Sequence, residues 1–156
     1  MISNPIEPIT FEGNVKHYAE LILGQNYGNG KEMGFWLAVA MVAIYIPLLG
    51  RLAAKHFFGK DSSLISIGLT GLVSIALTFC AICMADTSLS AFAPKSIETL
   101  MISFCTGTVV LLVTSAAGQV LSMAFGPSLG LQLIFWNIVL LANLATKFLT
   151  DFWKHF

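Results

Sequence analysis

The chain has 156 residues, of which 56% are hydrophobic and 10% charged, against roughly 25% charged in ordinary soluble domains; this is the composition of an integral membrane protein. Eight Lys+Arg offset eight Asp+Glu, so there is no basic surplus to hold nucleic acid and no polyanionic tail to recruit a charged partner. Three cysteines leave one over in any disulfide pairing, and no Cys, His and acidic residues stand at zinc-ligand spacing, so no metal or other cofactor is expected.

The amino terminus, MISNPIEP, lacks both the basic start and the apolar run of a secretory signal peptide, and the polar tail is expected to stay on the mature protein. Phe11, Val15, Tyr18 and Ile22 fall at i, i+4, i+7 and i+11, on one helical face, while Glu12, Lys16 and Glu20 lie away from it. This predicts a short amphipathic helix with Thr10 as N-cap and Gly24 as its stop. Its apolar face, Phe11, Val15, Tyr18 and Ile22, is the candidate surface for a partner protein or the bilayer surface. Gly24, Gly28, Gly30 and Gly34 then mark a linker, which sets a polar tail at 1–32 before a transmembrane domain at 33–156.

Three long uncharged runs follow. A spanning helix needs about 20 apolar residues, and spans are expected at about 33–53, 62–85, 97–125 and 129–149. The last two come from one uncharged run, Thr99 to Thr146, which divides at Phe125-Gly126-Pro127-Ser128. Pro127 cannot continue a helix, and Gly126 is the expected left-handed residue ending the third span. Pro47 predicts a kink in the first span. Trp36, Phe152, Trp153 and Phe156 suit interfacial anchoring. A soluble four-helix bundle would need a charged stripe on each helix, and these segments offer only hydroxyls and amides. The expected fold class is therefore an all-α integral membrane protein, four transmembrane helices with a short amphipathic N-terminal helix.

An even number of spans puts both termini on one side with the loop from Asp86 to Glu98, opposite the first loop. Arg51, Lys55 and Lys60 of the first loop lie within ten positions, whereas Lys16, Lys31, Lys95, Lys147 and Lys154 are scattered along the other side. The raw count favours cytoplasmic termini, the density of basic residues near helix ends a cytoplasmic first loop; the second criterion sets the expected orientation.

The second span carries Ser66, Thr70, Ser74 and Thr78 every four residues, beside Gly68 and Gly71. The third carries Ser103, Gly107, Ser115 and Gln119 on one four-residue row and Thr114, Gly118 and Ser122 on another. Such rows either bring helices close together, with hydroxyls bonding across the contact, or line a hydrated path. No acid lies at membrane depth, which argues against a proton-coupled transporter. The fourth span adds Gln132, Trp136, Asn143 and Lys147 along one side, with Asn137 pointing elsewhere. Buried amides need partners, so Gln132 and Asn143 are expected to face other helices.

Cys80 and Cys83, in FCAIC, share a helical face. They lie near the C-terminal end of the second span, where the helix dipole opposes thiolate formation. Four spans with a C-x-x-C resemble in outline the quinone-linked thiol oxidoreductases of the vitamin K epoxide reductase kind. That resemblance implies a second redox cysteine pair in a loop outside the membrane, and the only other cysteine is Cys105, inside the third span. His17, His56 and His155 lie in the tail, the first loop and the carboxyl end, with no acid at membrane depth to complete a hydrolytic site. The glycines of GQNYGNG, residues 24–30, lack a preceding strand and a Lys-Ser/Thr ending, so they form no phosphate loop.

The expected role is that of a non-enzymatic membrane subunit packing into a larger assembly, such as a secretion or conjugation machine or an energy-transducing complex. Its partners would be the lipid bilayer and other membrane subunits or copies of itself. The alternatives are a small channel or transporter lined by the hydroxyl rows, and a thiol oxidoreductase using Cys80 and Cys83.

Overall fold

The structure, a computed structural model, describes residues 10–23, 32–89 and 95–153. Among these are five helices and no strand: α1 (Phe11–Leu23), α2 (Glu32–Phe58), α3 (Leu64–Leu89), α4 (Lys95–Val120) and α5 (Phe125–Trp153). The stretches Met33–Phe58, Leu64–Leu89, Thr99–Val120 and Phe125–Leu149 are long and apolar enough to cross a membrane. The chain is thus a multi-pass integral membrane protein, all-α, with the expected short helix ahead of its spans.

The core lies where α2, α3 and α5 meet. Ile46, Ile67, Leu131, Phe135 and Val139 are buried there, and small residues bring the backbones close enough to make the contact. A Cβ on Gly50 would fall 2.7 Å from Phe135 Cε1, and one on Gly71 would fall 2.5 Å from Ile46 Cγ2. Hydrocarbon outside the protein is as apolar as these side chains, so close packing rather than water exclusion holds such helices together. α4 stands at the edge: 11% of its apolar stretch is buried, against 39% for α5.

Helix boundaries differ from the sequence-based expectation at several places. α2 continues past residue 53 to Phe58 and stops at Gly59, whose φ is +63°; Ser63 then caps α3 by accepting the Ser66 N–H at 3.1 Å. α3 continues past Ala85 through Asp86 and Thr87 to Leu89, because both side chains find partners in α1. The third span ends at Val120, not at Phe125. Its left-handed residue is Ser122, with φ +51°, and not Gly126. The N–H of Met123 bonds the Gly118 carbonyl at 2.8 Å and that of Ser122 the Gln119 carbonyl at 3.1 Å, the paired bonds of a Schellman cap. Phe125, Gly126 and Pro127 open α5 instead, since proline in a first turn forfeits no helical hydrogen bond.

At the chain's start, Thr10 caps α1 as expected, its Oγ1 accepting the Gly13 N–H at 3.1 Å. Gly24, Gly28, Gly30 and Phe156 lie outside the described residues.

Candidate functional site

α1 rests on its own chain, against α3, α5 and α2. Polar contacts to α3 and α5 fasten it. Asn14, the buried polar residue of α1, donates from Nδ2 to Thr87 Oγ1 at 2.9 Å, and Thr87 donates onward to the Cys83 carbonyl at 2.7 Å. The Tyr18 hydroxyl donates to Asp86 Oδ2 at 3.2 Å. Asn143 Nδ2 of α5 donates to the Ile22 carbonyl at 3.0 Å, supplying one of the donors that the last carbonyls of a helix lack within their own chain segment. Of the predicted apolar face, Phe11 is exposed while Val15, Tyr18 and Ile22 are half-buried. Asn14, Asp86 and Thr87 were missed as anchors, although Asn14 stands three residues after Phe11 and four before Tyr18, on the same face.

Beneath α1 lies a cavity of about 900 Å³ lined by Val15, Ile22, Trp36, Val42, Phe79 and Trp136 among others. Glu12 and Lys16 stand at its α1 side. The fourth-span face foreseen in the sequence is partly realised here: Trp136 lines the cavity and Asn143 reaches α1, while Gln132 points to α3 and Lys147 is exposed.

The α3 hydroxyl row divides along its length. Ser74 and Thr78 are buried, Ser66 and Thr70 half-buried. Ser74 Oγ accepts from Gln132 Nε2 at 2.9 Å, and its carbonyl accepts from Thr78 Oγ1 at 2.9 Å. Among the residues of the two α4 rows, Thr114 and Gly118 are buried, whereas Ser103, Gly107, Ser115, Gln119 and Ser122 are exposed. The Thr114 carbonyl accepts from Ser128 Oγ at 2.7 Å, and a Cβ on Gly118 would meet the Met123 carbonyl oxygen at 3.0 Å, so these two positions close the α4–α5 hairpin. A crevice of about 410 Å³ between α3 and α4 holds Thr70 and Ser74 among eight apolar residues. Ser128 and Thr146 are further buried polar residues that sequence reasoning missed; Thr146 donates to the Ala142 carbonyl of its own helix.

All three cysteines are free; Cys83 is buried, and Cys80 and Cys105 are exposed. Among the described residues no three His, Cys, Asp or Glu side chains gather where they would hold a metal ion. Comparison with profiles of known protein families, with curated proteins and with solved structures found no match for this chain.

Proposed function

We propose that the chain is a non-enzymatic membrane subunit that packs into a larger assembly through the outer face of α4 and the lipid-side face of α5. The observation that carries this reading is Asn137. It lies midway along the span Phe125–Leu149, is exposed, and among the described residues hydrogen-bonds only to the Leu133 carbonyl of its own helix, at 2.8 Å. A carboxamide facing hydrocarbon is costly unless a neighbour meets it. α4 offers a matching surface: residues 99–112 include no buried side chain, and a Cβ on Gly107 would have nothing within 4 Å. With Ser103 one turn earlier, this is the small-xxx-small spacing that admits another helix. The channel reading draws little support from the α3–α4 crevice, where two hydroxyls stand among apolar side chains.

The test is the migration of the complex extracted in mild detergent, read on native gels. Asn137→Leu and Gly107→Leu are expected to shift the protein to a smaller form while helicity and melting are kept. Unchanged migration of both variants overturns the assembly reading.

A further inference from the structure

From the middle of α2 toward the first loop α2 and α3 are clasped: a Cβ on Gly71 would lie 2.5 Å from Ile46 Cγ2, one on Gly68 2.8 Å from Pro47 Cβ, and one on Gly50 2.9 Å from Ile67 Cγ2. Toward their other ends the helices part, and the cavity of about 900 Å³ opens between Val39, Val42 and Ala43 of α2 and Ile75, Ala76 and Phe79 of α3. α5 closes it from behind with Trp136 and Val139, and α1 roofs it. It is a cleft rather than a sealed void, since Trp36, Ala43, Leu72 and Ala76 of its lining stay exposed, and its volume falls in the range of roughly 300–1,000 Å³ that ligand sites occupy.

The lining divides sharply by depth. The lining residues contributed by the spans are aliphatic or aromatic, and the hydroxyl and charged ones, Thr10, Glu12 and Lys16, belong to the cap and first turns of α1. Among the described residues neither Glu12 nor Lys16 forms an ion pair with the other or with any other group. At bilayer depth the available filling is hydrocarbon, and the two charges at the roof suit the opposite charges of a zwitterionic headgroup. We propose that the cavity is a binding site for one phospholipid, an acyl chain between α2, α3 and α5 and the headgroup beside Lys16 and Glu12, with α1 held over it by Asn14, Tyr18 and Asn143. The site belongs to the single chain and stands apart from the assembly reading.

Native mass spectrometry of the full chain released from detergent tests this directly. The wild type should carry an adduct with the mass of one phospholipid. The variant Ala43→Phe/Ala76→Phe, whose rings fill the gap, should lose that adduct while keeping its helicity. Equal adducts in both proteins, or none in the wild type, overturn the proposal. Should the filled variant not fold, a Trp153→Phe protein decides the matter, because its two remaining tryptophans, Trp36 and Trp136, both line the cavity. Titration in detergent with phosphatidylcholine brominated along its chain should quench their fluorescence and then saturate at a single lipid per chain. Quenching that instead grows in proportion to the lipid fraction of the micelle means ordinary surface contact and refutes the site.

Discussion

Gln132 and Ser74 meet across the buried contact of α5 and α3, the amide Nε2 donating to the hydroxyl at 2.9 Å. Both side chains are at least nine-tenths buried, so neither has solvent or lipid headgroup to fall back on. Interhelical bonds of this kind contribute about 0.5–2 kcal/mol in membranes, and removing one partner also strands the other. Ser74→Ala is therefore expected to destabilise the protein by about 1–2 kcal/mol, while Ser74→Ala/Gln132→Leu, which removes both polar groups, should cost less than the two single changes added. A detergent-denaturation cycle measures this; additive costs would show that the bond is not coupled.

The glycines of α3 and α4 separate by surroundings. A methyl group on Gly71 would press on Ile46 at 2.5 Å and on Phe135 Cζ at 3.0 Å, whereas one on Gly107 would meet nothing within 4 Å. Gly71→Ala should cost about 1–3 kcal/mol through overpacking of the α2–α3–α5 contact. In the isolated chain Gly107→Ala should be neutral or stabilise by up to about 1 kcal/mol, since alanine is the better helix former. Melting of the two purified variants side by side is the measurement, and equal losses would contradict this packing.

The spans were legible because absence of charge over a helix-length stretch is a one-dimensional signal, and α1 because Phe11, Val15, Tyr18 and Ile22 repeat with its period. Boundaries were less so. Gly126-Pro127 is a genuine break signal, yet the same pair suits a helix that begins there as well as one that has just ended, and the turn falls at Ser122, held by its backbone bonds to Gln119 and by those of Met123 to Gly118. Asp86 and Thr87 read as the polar exit from a span, and they stay helical because Tyr18 and Asn14 come to meet them. That meeting joins positions far apart in the chain, as does the pairing of Gln132 with Ser74, and periodicity within one helix carries no information on which neighbour answers it. The cavity was hidden for the same reason: its volume depends on how far α2 and α3 stand apart, which no single segment encodes.

The attachment of α1 rests on side chains that can be removed without touching the spans' core. Asn14→Leu/Tyr18→Phe deletes the donors to Thr87 and Asp86 while the Asn143 bond to the Ile22 carbonyl remains. A loss of about 1.4 kcal/mol, ordinary for hydrogen bonds that include one to a carboxylate, raises opening about tenfold. Hydrogen exchange should accelerate by about that factor across Phe11–Leu23, with α3 and α5 unchanged. Exchange at the wild-type rate would mean that the Asn14 and Tyr18 bonds add nothing to the hold on the helix.

The orientation of the chain follows from where its basic residues stand relative to the span ends. Because α2 runs on to Phe58, Lys55 and His56 occupy its last turn, and Arg51 sits about two turns from the end. Arg51 lies 3.4 Å from Asp61 in an exposed pair, but acids contribute little to the positive-inside effect, so the pairing does not cancel its weight. Lys60 follows after Gly59, and the end of α2 together with the first loop thus carries a compact basic cluster at the membrane boundary. The expected orientation places that loop in the cytoplasm and α1, with both termini, on the opposite side. After replacement of Cys80, Cys83 and Cys105 by alanine, a single cysteine at Ser62 should resist an impermeant thiol reagent applied to intact cells, and one at Ser88, exposed at the end of α3, should react. Labelling at Ser62 with protection at Ser88 would turn the protein over in the membrane and put the roof of the cavity on the cytoplasmic side.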